Sequence, residues 1–117
     1  MATEKLNDAG KVQQKPTMQG PGVNVLETLK GKVPVEIYAQ LEERVALGIK
    51  KYGMSLQTNN NRDALLDCLQ EALDGIMYSQ QAYLEEKDSG LLLDLFVRLV
   101  RIINSKRRAG PNHELGV

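Results

Sequence analysis

Five side chains between residues 63 and 78 have the types and spacing of a cation-binding site. They are Asp63, Asp67, Glu71, Asp74 and Tyr78, separated by four, four, three and four residues. In a helix, residues so spaced stack on one face with about 5–6 Å between Cβ atoms. Carboxylates in a row repel one another unless water or a cation neutralises them, and hard cations such as Mg²⁺ take oxygen ligands. The stripe is therefore either a site for one or two such ions, centred on Glu71 and Asp74, or a solvated acidic face.

A second acidic line lies upstream, between residues 36 and 43. Glu36, Gln40 and Glu43 fall along one side of a helix at their spacing. Glu43 would oppose Glu71 and Asp74 if this helix and the next one pack antiparallel in a common bundle. A pair of glutamates on a helix is also ordinary surface charge, so both interpretations remain open.

Basic and aromatic side chains follow at the end of the same helix. Lys50 and Lys51 suit phosphate binding, and they equally suit the negative end of the helix dipole. Tyr52 is placed either to stack on a base or to pack in the core. The basic run at 106–108 is explained by the dipole of its own helix, which leaves little reason to expect a nucleic-acid partner.

Apolar side chains recur at helical spacing from Pro34 to Ala109, which predicts an all-α chain with three main helices. Pro34 suits the first turn of a helix, and Gly53 ends that helix. Residues 54–62 are predicted to be a loop, because three consecutive asparagines favour turns and left-handed conformations. Asn61 is the candidate cap of the second helix.

The remaining helix boundaries and the core faces follow from the same pattern. The second helix ends at Glu86 or Lys87, and Asp88 or Ser89 caps a third helix that runs to about Arg108. The predicted core face of the first helix consists of Ile37, Tyr38, Leu41, Val45, Gly48, Ile49 and Tyr52. That of the second helix consists of Leu65, Leu69, Ala72, Leu73, Ile76 and Tyr83.

The third helix is apolar around most of its circumference. Its narrow polar strip consists of Asp94, Arg98, Arg101 and Ser105. A helix that is apolar on most sides must be buried on most sides, and a chain of three helices cannot surround it. We expect a second copy of the chain to complete a helical bundle, as a homodimer or homotetramer. The alternative is that the N-terminal segment covers the extra face.

The two ends of the chain differ from the helical region. Residues 1–22 have few side chains to bury, too few to offset the entropy of ordering, which predicts a flexible N-terminal arm. Residues 23–109 are expected to form one all-α domain, in which 23–30 are a candidate short helix or docking segment. A Gly-Pro pair at 110–111 stops any helix, so 110–117 are expected to be a flexible tail.

Length and composition exclude several classes of protein. With 117 residues the chain has room for one domain. Its 15 Lys and Arg balance 15 Asp and Glu, so no net charge attracts nucleic acid or a membrane surface. Cys68 is the single cysteine and cannot form an internal disulfide. Neither a secretory signal nor a membrane span is expected, because the start lacks an apolar core and charged residues interrupt 91–103.

Residues 43–86 contain a set of motifs that occur together in one family. They are an ER…G…KYG…LQ run in the first helix and loop, an N-RDAL opening of the second helix and its EALD…Y core. As a set they resemble the phage and actinobacterial branch of the MazG-like nucleotide pyrophosphohydrolase superfamily. The resemblance covers somewhat over a third of the chain. It implies an all-α, dimeric or tetrameric enzyme that cleaves nucleoside triphosphates to monophosphates and pyrophosphate.

The resemblance also implies a metal site, built from an E-x-x-E pair on one helix and an E-x-x-D pair on the next. Glu71 and Asp74 correspond to the second pair, and Glu43 to the later acid of the first pair. Gln40 then stands where the first Glu is expected. Its amide oxygen can still coordinate a metal, but it brings no negative charge and cannot act as a base. The candidate substitutes for the missing carboxylate are Glu42 and Asp67.

By the same resemblance, the cofactor is Mg²⁺, or Mn²⁺, and the reaction is metal-assisted phosphoryl transfer. Two ions held by Glu43, Glu71 and Asp74 would bridge the triphosphate. A carboxylate or a metal-bound hydroxide would position the attacking water. The candidate nucleotide-binding side chains are Lys50, Lys51 and Arg62 for phosphate, with Tyr52 and Tyr78 for base or sugar.

The main hypothesis is therefore a cytoplasmic, metal-dependent pyrophosphohydrolase of a (d)NTP or related nucleotide, located in the host cytoplasm if a phage encodes it. Because Gln40 removes a charge from the first pair, the alternative is a phage protein on the same scaffold that sequesters a nucleotide without cleaving it. A host-defence nucleotide signal would be an example of such a ligand. A third hypothesis is a helical protein whose oligomer surface binds a protein partner.

Overall fold

The computed structural model describes residues 8–86 and 90–109, and over these residues the protein is all-α, as predicted. Four α-helices lie in these ranges: α1 (Val25–Leu29), α2 (Val35–Tyr52), α3 (Ala64–Glu86) and α4 (Gly90–Ala109). The same ranges contain no strand, and their only β-type pairing is an isolated antiparallel bridge between Asn24 and Gln57. The predicted caps Asp88 and Ser89, the predicted tail at 110–117 and residues 1–7 of the predicted arm lie outside the described residues.

Two compact units make up the chain. One comprises residues 1–12 and 63–117 and contains α3 and α4, and the other comprises Gln13–Arg62 and contains α1 and α2. The predicted boundaries at 22 and 109 stay a prediction. Contacts within one folded chain define compact units, whereas a domain is a segment that can fold alone.

Helix α2 ends where the sequence predicts and begins one residue after Pro34, at Val35. Pro34 is its N-cap residue, next to a first turn in which several N–H groups have no helical partner in any case. Gly53 adopts the left-handed conformation, with φ of 78°, and donates its N–H to the Ile49 carbonyl at 2.7 Å. The predicted core face of α2 is not buried: no residue of this helix is buried, and Ile37, Ile49 and Tyr52 are exposed.

Residues 17–25 pair with the loop that follows α2. Thr17 donates its backbone N–H to the Asn60 carbonyl at 2.9 Å, and Thr58 donates to the Val23 carbonyl at 3.0 Å. Part of this segment belongs to the predicted flexible arm, whose flexibility stays a prediction. The loop supplies hydrogen-bond partners for the backbone of this segment, which has few apolar side chains to bury.

Left-handed residues shape this loop, as its asparagines predict. Asn59 and Asn61 have φ of 59° and 61°, a conformation that asparagine tolerates better than most non-glycine residues. The prediction that Asn61 caps the next helix is wrong, because an N-cap residue needs an extended backbone. Asp63 is the cap of α3, since its Oδ1 accepts the Leu66 N–H at 3.0 Å.

Helices α3 and α4 pack against each other over the core of their unit. The buried apolar side chains are Leu66, Leu69, Ala72 and Ile103, with Leu73, Phe96 and Val100 packed against them. The predicted core face of α3 is partly wrong: Leu65 and Tyr83 are exposed, whereas Leu66 is only 1% exposed. Gly75 and Ser79 are also buried. A small residue lets a neighbouring helix pack closely against the backbone. A prediction based on the spacing of large apolar side chains overlooks such buried positions.

Helix α4 is buried along one side. Its buried residues in the described chain are Ile103 and Arg107, whereas five large apolar side chains are exposed: Leu91, Leu92, Leu95, Leu99 and Ile102. The apolar excess that predicts a second copy is therefore present on the surface, and the oligomeric state stays a prediction. Among the described residues, neither α4 nor any other helix is long and apolar enough to cross a membrane.

Candidate functional site

The predicted acidic stripe lies along one side of α3. Asp67, Glu71, Asp74 and Tyr78 recur every three or four residues of this helix, on the side roughly opposite its buried residues. Glu71, Asp74 and Tyr78 are exposed, and Asp67 is half-buried. Successive members are about 5–6 Å apart at Cβ. A rigid helix thus holds these side chains in order on an accessible surface.

Glu71 and Asp74 have no counter-charge in the part of the chain that the structure describes. Neither carboxylate forms a hydrogen bond or an ion pair with a described residue. Asp63, at the start of the stripe, is by contrast engaged as the N-cap of α3. Two neighbouring carboxylates without a cationic partner are an electrostatically favourable place for a divalent cation.

This donor set suits a metal ion that arrives with a phosphate ligand. Within residues 8–86 and 90–109, no group of three or more His, Cys, Asp or Glu side chains is arranged so that it could hold a metal ion. Mg²⁺ at phosphate sites typically keeps several waters and is bound by one or two carboxylates together with substrate phosphates. Glu71 and Asp74 supply such a pair of oxygen donors, so these residues fit the ion that the resemblance implies.

The other predicted ligands lie on α2, which belongs to the unit of residues 13–62. Gln40 and Glu43 are three residues apart on this helix and therefore share a side of it. Both are exposed, and so is Glu42, the candidate substitute for the missing carboxylate. Helices α2 and α3 thus each carry one of the two predicted ligand pairs, and both pairs are exposed.

The predicted nucleotide-binding residues at the end of α2 are accessible. Lys50, Lys51 and Tyr52 are exposed in its last turn. The Nζ atom of Lys51 lies 5.1 Å from the centroid of the Tyr52 ring, which is a cation–π distance. The two lysines also suit the negative end of the α2 dipole.

Arg62 has structural partners in its own unit. Its Nη1 donates to the Gln14 carbonyl at 2.6 Å, and its backbone N–H donates to Asn60 Oδ1 at 3.2 Å. These bonds tie the loop before α3 to the segment around residue 14. The predicted role of Arg62 in phosphate binding stays a prediction, and it would compete with the contact to Gln14.

Sequence reasoning missed three long-range hydrogen bonds, two from Gln70 of α3 and one from Arg107 of α4. Gln70 donates its Nε2 to the carbonyls of Ala9 at 2.9 Å and Lys11 at 2.6 Å, and Arg107 donates its Nη2 to Asp8 Oδ1 at 2.6 Å. The paired residues are 59 to 99 positions apart in the sequence. No local spacing reveals partners so distant, so no sequence signal could have found them.

Arg107 corrects the interpretation of the basic run at 106–108. Its side chain is 5% exposed and forms an ion pair with Asp8, a partner that the dipole explanation does not include. The hydrogen bond from Arg107 holds the pKa of the Asp8 carboxyl below its ordinary value. Among the described residues, Arg107 Nη1 has no hydrogen-bond partner, which leaves the ion pair with Asp8 as the main compensation for burying the guanidinium.

Comparisons with known proteins identify no relative of this chain. No protein-family model, curated protein or solved structure matches it. The similarity of residues 43–86 to the MazG-like superfamily therefore stays a prediction from motifs. The function has to be argued from the residues and their placement.

Proposed function

We propose that this protein is a metal-dependent nucleotide pyrophosphohydrolase, which cleaves a (d)NTP or a related nucleotide to a monophosphate and pyrophosphate. The observation that carries the proposal is the exposed pair Glu71 and Asp74 on α3. The two carboxylates share one helical face and have no counter-charge among the described residues. The motif resemblance of residues 43–86 supports the same assignment.

Mg²⁺, with Mn²⁺ as its substitute, is the proposed cofactor. Glu71 and Asp74 would hold the ion, and when bound it would offset the charge on the phosphate oxygens during transfer. The two carboxylates would repel a bare triphosphate, so nucleotide binding at this face requires the cation. Asp67, one turn before Glu71, is the candidate third carboxylate on the same helix.

The roles proposed for the residues of α2 rest on the motif resemblance. Gln40 and Glu43 are proposed oxygen ligands, and Lys50 and Lys51 are proposed phosphate contacts. Tyr52 is a candidate for contact with the base or sugar, as is Tyr78 on α3. Substitution of each residue tests these roles one at a time.

The proposal extends to assembly and location. The apolar excess of α4 supports a homo-oligomer, either a dimer or a tetramer. The proposed location is the cytoplasm, which is that of the host if a phage encodes the protein. The alternative function, sequestration of a nucleotide without cleavage, is favoured by Gln40, because an amide at that position weakens the charge available to a second metal ion.

The test is pyrophosphate release from a panel of NTPs and dNTPs with Mg²⁺. We expect release that a chelator abolishes and that Glu71→Gln and Asp74→Asn each reduce by about 100-fold, because each removes a metal-binding charge. Glu27→Gln removes an exposed carboxylate from α1 and serves as the matched control, with activity unchanged.

Two other outcomes would redirect the assignment. Folded protein that releases no pyrophosphate across the panel would overturn the hydrolase proposal for these substrates. If nucleotides nevertheless raise its Tm, and the rise survives a chelator, the sequestering function is the correct one. Protein without release or any thermal shift would leave the partner-binding hypothesis.

A further inference from the structure

We propose that Lys11 is a phosphate-binding residue at the Glu71–Asp74 pair, positioned by the packing of residues 8–12 on α3 and α4. This inference rests on the proposed function and deepens it, since it adds to that site a cation from the predicted flexible arm. Lys11 is exposed, and its side chain forms no hydrogen bond or ion pair with a described residue.

Two anchors hold residues 8–12 on this unit. At one end, Asp8 Oδ1 accepts from Nη2 of Arg107 on α4, whose side chain is buried. At the other end, Gln70 of α3 donates its Nε2 to the carbonyls of Ala9 and Lys11, and Ala9 packs against the core. The bond to Lys11 uses the backbone carbonyl and leaves the ammonium group available.

Gln70 lies at the border between the buried side of α3 and the acidic stripe. It follows buried Leu66 by four residues and precedes exposed Asp74 by four, and each such step turns about 40° around the helix axis. The Cβ atoms of Gln70 and Asp74 are therefore about 5–6 Å apart. Because the Lys11 carbonyl is 2.6 Å from Gln70 Nε2, the flexible stem of Lys11 starts next to the stripe.

Lys11 is the only cation outside α4 among the described residues of this unit. Helix α3 contains neither Lys nor Arg, and α4 packs on the buried side of α3, which is roughly opposite the stripe. The phosphate contacts named above, Lys50, Lys51 and Arg62, belong to the unit of residues 13–62. Within its own unit, Lys11 is therefore the described cation best placed for a phosphate at the stripe.

The charge of a metal–triphosphate complex calls for such a cation. Glu71 and Asp74 carry two negative charges and one Mg²⁺ carries two positive ones, so the bound ion leaves the triphosphate charge uncompensated. A lysine ammonium is a compact charge that binds phosphate oxygens. Because Lys11 forms no ion pair with the two carboxylates, the metal ion does not have to displace it.

Binding of uncleavable nucleotides to the full-length chain tests the role of Lys11. The probes are the α,β-imido analogues of the dNTPs with Mg²⁺, followed by calorimetry. Lys11→Ala should raise the Kd about ten-fold, which corresponds to the loss of one charge-assisted hydrogen bond. Lys11→Arg keeps the charge and should stay within about three-fold of the wild type. Lys106→Ala removes an exposed lysine from α4 and is the matched control, with no change in Kd.

Chemical labelling tests the contact without any enzymatic activity. Acetylation by an N-hydroxysuccinimide ester, followed by mass spectrometry, should slow several-fold at Lys11 when Mg²⁺ and the analogue are present, because a bound phosphate shields the ammonium. Lys106 in the same sample is the internal reference and should be labelled at an unchanged rate. Glu71→Gln should abolish the protection of Lys11, since the phosphate reaches this face through the ion.

Gln70→Ala separates the position of Lys11 from its charge. In this variant Lys11 keeps its ammonium but its backbone loses an anchor, so the Kd should rise several-fold. The double variant Lys11→Ala/Gln70→Ala should bind no more weakly than Lys11→Ala alone, because both changes remove the same contact. Urea denaturation of Lys11→Ala should give the wild-type free energy of unfolding, which excludes a general loss of structure.

The outcomes distinguish this inference from the proposed hydrolase activity. If the wild type releases pyrophosphate and Lys11→Ala binds the analogue as tightly as the wild type, the inference alone is wrong. Binding that leaves Lys11 unprotected overturns it as well. If the analogue protects Lys11 but no pyrophosphate is released, the hydrolase proposal alone is wrong. Wild-type protein that binds none of the analogues overturns both.

Discussion

Phe96 packs its ring directly on the backbone of Gly75. The ring atom Cδ1 lies 2.6 Å from the position that a Cβ on residue 75 would occupy. Two non-bonded carbon atoms cannot approach each other so closely. Helices α3 and α4 therefore meet at a position that has no side chain. Glycine within a helix costs about 1 kcal/mol relative to alanine, and the close contact of the two helices offsets that cost.

This contact predicts opposite effects of alanine at two helical glycines. Gly75→Ala should lower the free energy of unfolding by about 1–3 kcal/mol, because the Phe96 ring must move. Gly48→Ala in α2 should raise it by up to about 1 kcal/mol, since a Cβ there meets nothing within 4 Å. Urea denaturation followed by circular dichroism measures both. Equal effects of the two variants would contradict the contact with Phe96.

The ion pair between Asp8 and Arg107 predicts a pH-dependent contribution to stability. Asp8→Asn should lower the free energy of unfolding by about 1–3 kcal/mol near neutral pH, because Arg107 is left buried without its counter-charge. The pKa of Asp8 is lowered from 3.8 in the folded protein. Its contribution is therefore fully present above pH 3.8 and is lost as the pH falls through the lower folded value.

Denaturation of both proteins across this range provides the measurement. The difference in the free energy of unfolding between wild type and Asp8→Asn should be constant above pH 3.8 and should shrink at lower pH. Glu27→Gln, which removes an exposed carboxylate, controls for general charge effects. A difference that persists unchanged in strong acid would show that the carboxylate charge of Asp8 is not what stabilises Arg107.

The N-cap of α3 gives a third prediction. Asp63→Ala should destabilise the protein by about 1 kcal/mol, because the Leu66 N–H loses its acceptor. Asp63→Asn keeps a side-chain oxygen at that position and should retain most of the stability. Thermal denaturation compares the two variants. If asparagine is as damaging as alanine, a charge interaction of Asp63 outweighs its role as a cap.

Gln70 gives a fourth prediction, on the segment of residues 8–12. Gln70→Ala removes the donor to the carbonyls of Ala9 and Lys11, each hydrogen bond contributing about 1 kcal/mol. Trypsin should then cleave after Lys11 several-fold faster, because local opening of the segment becomes easier. Gln81→Ala on the same helix, whose side chain bonds only locally to Glu85, should leave this cleavage rate unchanged.

A fifth prediction separates nucleotide binding from cleavage. With Mg²⁺ and a nucleotide at 100 times its Kd, the wild type should gain about 2.7 kcal/mol in the free energy of unfolding. Glu71→Gln should lose most of this gain, because it removes one of the two carboxylates proposed to hold the ion. Thermal shift with and without Mg²⁺ measures it. An equal gain in both proteins would place the bound nucleotide away from the Glu71–Asp74 pair.

Local patterns in the sequence predicted the helices and the order of the candidate site residues along them. The stop at Gly53 and the loop with Asn59 and Asn61 follow from backbone preferences that act within a few residues. The stripe through Glu71 and Asp74 follows from helical periodicity alone. These features need no knowledge of a partner, since their physical causes lie within one or two helical turns.

Tertiary packing decided which side of each helix is buried and which charges have partners. Leu66 is 1% exposed and Leu65 is 37% exposed, although helical spacing placed Leu65 on the predicted core face. Arg107 pairs with Asp8 across 99 residues, a contact that no local spacing encodes. The sequence by itself determined the helices and the candidate carboxylates. Only the folded chain decided that Glu71 and Asp74 are exposed and that no described residue neutralises them, because burial and pairing arise between segments distant in the sequence.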